Sequence, residues 1–302
     1  MKFPIGIQSF EQIIEEGYIY VDKTDIIYDL THNGKIYFLS RPRRFGKSLL
    51  VSTLENYYSG RKELFRGLAI EKMEIEWNEY PVFHVDFNAT NFTNSGELEM
   101  KLNFYLAEWE KKYNLPNRTN ELGLGDRFIK ILEAAHLQTG RRAVVLVDEY
   151  DKPILDVLDV DAALENNHRN ILKAFYSVFK GADKHLQFVL LTGVTKFSQV
   201  SVFSGFNQPK DISMDIRYEA LCGITQKEIE EYFTEPVSQM AVEYQCTQQE
   251  MYKLLKQQYD GYHFSDKLTD IYNPFSLLNA LDAKRIKDYW FSTGTPTYLI
   301  RL

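Results

Sequence analysis

The stretch from residue 36 to residue 58 constrains the fold more than any other part of the chain. It reads IYFLS, then RPRRFGKS, then LLVSTLENYY. A short β-favouring run is followed by a basic loop ending in Gly-Lys-Ser, and then by an amphipathic run. In that last run Leu50, Leu54 and Tyr57 fall at i, i+4 and i+7, the period of one helix face. A strand that feeds a glycine-containing loop and opens a helix is the context a phosphate-binding loop requires. The first turn of a helix offers unpaired N–H groups and the positive end of the macrodipole. Gly46 lets the backbone come close to the anion. Lys47 reaches the β- and γ-phosphates as a point charge, and the Ser48 hydroxyl is a ligand for Mg²⁺. Arg43, Arg44, Phe45 and Leu49 complete the expected nucleotide-contacting set. The pattern GxxxxGK[ST] places a glycine six residues before the lysine, and here that place is Arg41. The loop is therefore degenerate at its first glycine, and Pro42 stiffens it.

Three further apolar runs are expected as strands: residues 82–87 (VFHVDF), 143–147 (AVVLV) and 187–192 (QFVLLT), with a shorter fifth candidate at 220–223. Runs this apolar fit strands buried on both faces, as in a parallel sheet covered by helices. Helical periodicity is expected over 48–58, 98–113, 126–137 and 166–179. The run at 143–147 ends directly in Asp148 and Glu149. Carboxylates at the carboxyl end of a buried strand sit at the crevice where open α/β sheets bind ligands. Asp148 is expected to hold Mg²⁺, directly or through water, and Glu149 to act as general base on the attacking water. Their bland alternative is a carboxylate capping the next helix.

Lys47 and Asp148 lie 101 positions apart, with one strand run between them. In one large class of such ATPases a further strand lies spatially between the two motif strands and carries a polar sensor at its tip. Thr192 ends the run at 187–192 and is the expected sensor of the γ-phosphate or the water. Lys196 is a weaker candidate for a phosphate contact, and a solvated lysine describes it as well. The expected fold is thus α/β, a P-loop NTPase three-layer sandwich on a parallel sheet, followed by a smaller, mostly helical lobe. Thr225, with Glu228 three residues on, has capping-box spacing, and the chain reads as helical from there to about residue 255. That sets a soft boundary between a nucleotide-binding domain at 1–223 and a lobe at 224–302.

Other chemistries find little support. The string DEYDK at 148–152 superficially resembles a nuclease centre, but Lys152 follows Asp151 without a spacer. The six histidines are scattered in sequence and form no HxH or HExxH pattern. Cys222 and Cys246 have no neighbouring Cys or His, which leaves a thiol nucleophile or a Cys-rich zinc site without basis. No serine sits in a GxSxG elbow. The 20 Tyr, 20 Phe and 3 Trp mostly follow helix or strand periods, so core packing explains them better than base stacking. With 35 basic and 42 acidic residues the net charge is −7, which excludes a globally basic nucleic-acid coat but leaves a local patch at Arg41, Arg43 and Arg44. No apolar run approaches the ~20 residues that span a bilayer, and the N-terminus lacks a signal-peptide pattern, so a cytoplasmic setting is expected. The last residues, YWFSTGTPTYLIRL, read as ordered sequence, so either the protein ends abruptly or the chain is a fragment.

Taken in order, VDKT (21–24), RPRRFGKSLL (41–50), VDEYDKP (147–153), LLTGVTKFS (190–198), YDGYHF (259–264), YNPFSLLNAL (272–281) and YW…TGTP (289–296) resemble the AAA-ATPase-like domain family of bacterial proteins. The resemblance runs along nearly the whole chain. It implies the same roles for Lys47, Ser48, Asp148 and Glu149, with ATP and Mg²⁺ as ligands and nucleotide state moving a helical lobe. Members of the family often continue into a domain similar to PD-(D/E)xK nucleases; that domain is expected to begin beyond residue 302, so nuclease activity is not carried over. Three readings stay open: an ATP-hydrolysing switch, a module that binds nucleotide without turnover (suggested by Arg41), and a small-molecule P-loop kinase.

Overall fold

The computed structural model describes residues 1–116, 121–195 and 209–289. Lys196 and the string TGTP lie outside the described residues. Five parallel strands form one sheet: β1 (Ile36–Ser40), β2 (Val82–Asp86), β3 (Ala143–Asp148), β4 (Leu186–Gly193) and β5 (Lys210–Asp211), in the order β2-β3-β4-β1-β5. As the motif spacing leads one to expect, β4 lies between the two strands that carry the glycine loop and the Asp-Glu pair. The expected fifth strand at 220–223 is not formed. The true fifth strand is the two-residue β5, whose Tyr37↔Lys210 and Phe38↔Asp211 pairings cover the β1 edge. Both its residues are exposed, so no apolar signal marks it.

Strand alternation separates two cores, one on each face of the sheet. Phe38, Val145, Val147, Val189 and Leu191 pack against α4 (Glu97–Lys112), α5 (Leu124–Thr139) and α7 (Ala162–Tyr176). Tyr37, Leu39, Val144, Leu146 and Phe188 pack against α1 (Phe10–Glu15), α2 (Thr24–His32) and α3 (Lys47–Tyr58). The result is an α/β three-layer sandwich. The helix expected at 166–179 is broken at Ser177 into α7 and a short α8 (Val178–Gly181), which follows the short α6 (Lys152–Leu155) in the chain.

The C-terminal lobe builds on β6 (Ile224–Thr225), antiparallel to β7 (Ile271–Tyr272), and on α9 (Gln226–Tyr232), α10 (Thr234–Glu243), α11 (Gln248–Tyr259) and α12 (Pro274–Ala283). Thr225 and Glu228 form the expected capping box, and Thr247 and Glu250 form a second one. The lobe has its own core around Ile229, Phe233, Leu255 and Leu277, against which Phe3, Ile5, Ile19 and Val21 pack. The N-terminal residues therefore strap the lobe to the sheet. Lys23, largely buried, closes the strap with an ion pair to Glu228 at 2.5 Å.

Candidate functional site

The β1–α3 turn is held in a shape only a few residues adopt. Gly46 caps α3 at φ 93°, a left-handed conformation costly for any residue with a Cβ, and Arg44 before it stands at φ 68°. The turn aims the first residues of α3, Lys47 and Ser48, into a cleft of about 460 Å³. Arg43, Arg44, Gly46 and Leu49 line the same cleft, with Asn88, Glu149 and Lys152 on the sheet side and Phe275 on the lobe side.

Five of the expected residues meet at the cleft or just behind it, although 101 positions separate the two motifs. The Ser48 hydroxyl donates to Asp148 Oδ2 at 2.5 Å, and the Thr192 hydroxyl donates to Asp148 Oδ1 at 2.6 Å. Lys47 Nζ lies 3.2 Å from Glu149 Oε1 and also donates to the carbonyls of Arg41 and Pro42. Glu149 stands at φ 54°; this left-handed turn just past the strand end directs its side chain to Lys47 while Asp148 faces Ser48. Such strained non-glycine residues gather at functional sites. Burial raises the Asp148 carboxyl above the usual carboxylate range, against the lowering effect of its bonds from Ser48 and Thr192. A divalent ion would relieve that buried charge. The hydroxyl and carboxylate oxygens are the hard donors Mg²⁺ takes at about 2.1 Å. At 2.5 Å apart they would have to separate slightly to hold one ion between them.

Thr192 is fully buried and does not line the cleft; its hydroxyl is engaged with Asp148. Its geometry suits holding the carboxylate in place more directly than touching a phosphate. Phe45 is buried too, its ring edge-on to Tyr262 and Phe264 of the lobe and its carbonyl accepting from Gly223. Leu49 lines both the cleft and an adjoining apolar hollow, whose walls include Tyr20, Phe45, Cys222, Gly223 and Phe233.

Arg41 behaves differently from its neighbours. It is only 1% exposed and its guanidinium turns away from the loop, donating to the carbonyls of Ser213, Tyr218 and Glu219 and stacking 4.0 Å from the Phe264 ring centre. Burial lowers its pKa to about 10. The residue in the first-glycine position is thus a structural tie to the lobe, and it is not available to an exposed basic patch. Arg44 instead faces the lobe's Phe275, 4.8 Å from the ring centre.

Three features escaped the reading of the sequence. Asn88, at the tip of β2, lines the cleft and donates to Asp148 Oδ2 at 3.3 Å; a polar residue just past an apolar strand run was the available signal. His136 and His185, far apart in sequence, meet with their Nδ1 atoms 3.0 Å apart. Among the described residues no group of three or more His, Cys, Asp or Glu is placed to hold a metal. Asp151, completely buried, accepts from the Val194 and Thr195 amides and from the Thr195 hydroxyl, and so fixes the turn after β4. That turn passes so close that a Cβ on Gly193 would come within 2.7 Å of both Tyr150 and Asp151.

Burial, helped by the charge of Glu149, raises the Asp151 pKa to about 6 from 3.8. A carboxyl whose folded pKa is raised stabilises the fold most below its unfolded pKa, and that contribution fades as pH rises through the folded value. Asp151→Asn can keep the bonds to one oxygen without the charge. Relative to this variant, the wild type is expected to lose stability as pH rises from 4 to 6, by an amount on the order of 3 kcal/mol, with a constant difference above about pH 7. Denaturant titrations of both proteins across that range check it, and a pH-independent difference would refute it.

The family described as Predicted AAA-ATPase matches residues 4–203, more than half of the chain. The chain belongs to that family. It is also 40% identical over 303 residues to an uncharacterized protein in the vnfD 5′ region of Azotobacter chroococcum mcd 1, a match that covers 100% of this chain and 56% of the relative. The chain spans about half the length of that curated relative. The structure of the Aeropyrum pernix ORC1 protein in complex with DNA aligns over 91% of this chain and 65% of its own, with 8% identity and a TM-score of 0.38. No helix among the described residues is long and apolar enough to cross a membrane. Burial pushes the Cys222 thiol up, away from the reactive thiolate.

Proposed function

We propose that the chain binds Mg·ATP and hydrolyses it, and that nucleotide state sets the position of the lobe. The observation that carries this reading is the meeting of Lys47, Ser48 and Glu149 at one cleft, with Asp148 bonded to Ser48 just behind it, within 2.5 to 3.2 Å of their partners. The triphosphate would lie along the Gly46–Ser48 turn, with Lys47 released from Glu149 to the phosphates. The adenine base would enter the apolar hollow behind Leu49, whose walls include Cys222 and Gly223 at the domain boundary and Pro274 of the lobe. Ser48 and Asp148 would hold Mg²⁺, which when bound offsets the phosphate charge. Glu149 would accept the proton of the attacking water, and Asn88 and Thr192 keep Asp148 oriented.

Coupling to the lobe rests on contacts of the loop itself. Arg41 and Phe45 touch Phe264, and Arg44 touches Phe275. Movement of the loop to admit a phosphate would therefore be felt by both lobe segments. In the same reading, 1–223 is the nucleotide-binding domain, 224–302 the responding lobe, and the cytoplasm the setting. A nuclease-like domain in a longer protein and nucleic-acid contact through Arg43 and Arg44 are extensions of it.

The test is phosphate release from ATP by the purified chain with Mg²⁺, beside melting curves with and without Mg·ATP. Release together with a melting shift is expected; a folded chain that shows neither at millimolar ATP rejects the proposal. The contact between Lys47 and Glu149 favours one second reading, nucleotide binding without turnover, because it ties the proposed base to the phosphate lysine. A melting shift without phosphate release would select it.

A further inference from the structure

At the opposite end of the strands from the nucleotide cleft lies a separate cavity of about 300 Å³. It sits at the C-terminal end of α3, about 16 Å along the helix from Lys47 at 1.5 Å per residue, and near the N-terminal ends of β2 and β4. Its walls include five aromatic rings, Tyr28, Tyr57, Tyr58, Trp77 and Tyr80, with Glu74 among them. The rings stand across one another. Tyr58 and Tyr80 meet at 88° with centres 5.5 Å apart, and Tyr57 and Trp77 at 72° and 5.8 Å. The rings of each pair are in edge-to-face contact with one another, so the cavity lies beside them and is walled by the ring surfaces they leave uncovered; ring faces attract cations.

The Glu74 carboxylate is fixed in this wall. Its Oε1 accepts from the Glu76 amide at 2.9 Å, and its Oε2 accepts from the Tyr57 hydroxyl. Among the described residues it has no Lys or Arg ion-pair partner; the nearest base is His32, at 3.8 Å. No Lys or Arg lines the cavity, while Glu76 does. Arg141 stays at the margin, bonded to Asn78 and 5.8 Å from the Tyr80 ring centre. Tyr58 is 3% exposed and its hydroxyl has no hydrogen-bond partner. Aromatic walls, a fixed carboxylate without a cationic partner and an unengaged hydroxyl are complementary to one chemistry, a compact positive group that also has apolar surface.

We propose that this cavity binds a small free organic ammonium ion, its charged head against the aromatic wall of Tyr57, Tyr58, Trp77 and Tyr80 and facing Glu74. Nothing in the nucleotide reading requires the cavity, and the two can fail separately.

Choline and its uncharged isostere 3,3-dimethylbutan-1-ol, titrated calorimetrically into the full chain, test the proposal. Choline is expected to bind at least tenfold more tightly than the alcohol, the scale of a desolvated cation–π contact. Glu74→Gln is expected to weaken choline by a similar factor and to leave the Mg·ATP melting response unchanged. Tryptophan fluorescence should change on adding choline and fail to do so in Trp77→Phe. Equal affinity for choline and the alcohol would show a merely apolar hollow, and no heat at about 50 mM choline from folded protein would show a packing gap; either result overturns the proposal. The comparison of the two compounds on the wild type holds even if a variant does not fold.

Discussion

Replacing Lys47 with alanine is expected to abolish the rise in melting temperature that Mg·ATP gives the wild-type chain. A ligand present at one hundred times its dissociation constant stabilises the folded state by about 2.7 kcal/mol. For a chain of 302 residues that is a rise of roughly 4 °C. The lysine is 4% exposed and sits where a phosphate on the Gly46–Ser48 turn would meet it, so its charge would act in a partly dry site and count for more than at the surface. The substitution also disturbs the ligand-free protein, because the carbonyls of Arg41 and Pro42 and the Glu149 carboxylate lose a shared donor. The response must therefore be read against the variant's own melting temperature without nucleotide. Lys47→Arg separates charge from shape, since a planar guanidinium differs from a compact ammonium at a site this close. It is expected to retain a reduced shift. A Lys47→Ala protein that keeps the full shift would mean that nucleotide binds elsewhere, and the cleft would lose its assignment.

The fold is legible in the sequence where the signal is local. Residues 36–58 carry a strand, a glycine turn and a helix within one short span, and β3 announces itself through five apolar residues followed by two carboxylates. Each needs only its own neighbours to be recognised. The exposed pairing of Lys210 and Asp211 with β1 has no such mark, whereas the apolar residues at 220–223 pack into the core without forming a strand. Arg41 shows the same limit more sharply. As a deviation from the glycine pattern it suggested a weakened phosphate loop, but its partners Ser213, Tyr218 and Phe264 lie more than 170 positions away and give it a different task. Asp151 was noticed only as part of a misleading nuclease-like string, because its role depends on the turn after β4. The N-terminal strap was likewise hidden, since periodicity says that Ile19 and Val21 want burial but not that the distant lobe supplies it.

Substituting Glu149 with glutamine should separate binding from chemistry. Glutamine has nearly the same shape but cannot take a proton from water, and loss of a positioned general base costs about 10²–10⁴ in rate. Phosphate release is expected to fall by that factor. Binding should survive and even strengthen, because in the nucleotide-free chain Glu149 holds Lys47 at 3.2 Å, and a phosphate must displace that contact. The neutral side chain holds the lysine less firmly, so the Mg·ATP melting shift should match or exceed that of the wild type. Asp148→Asn makes the contrast. It leaves Glu149 intact but removes the charge that Ser48, Thr192 and Asn88 surround, so its response should lose its dependence on Mg²⁺. If Glu149→Gln released phosphate as fast as the wild type, the base would be another group or the observed release would come from a contaminant. If it bound nucleotide more weakly than the wild type, Glu149 would be a ligand contact, and the contact with Lys47 would not be the latch that binding has to open.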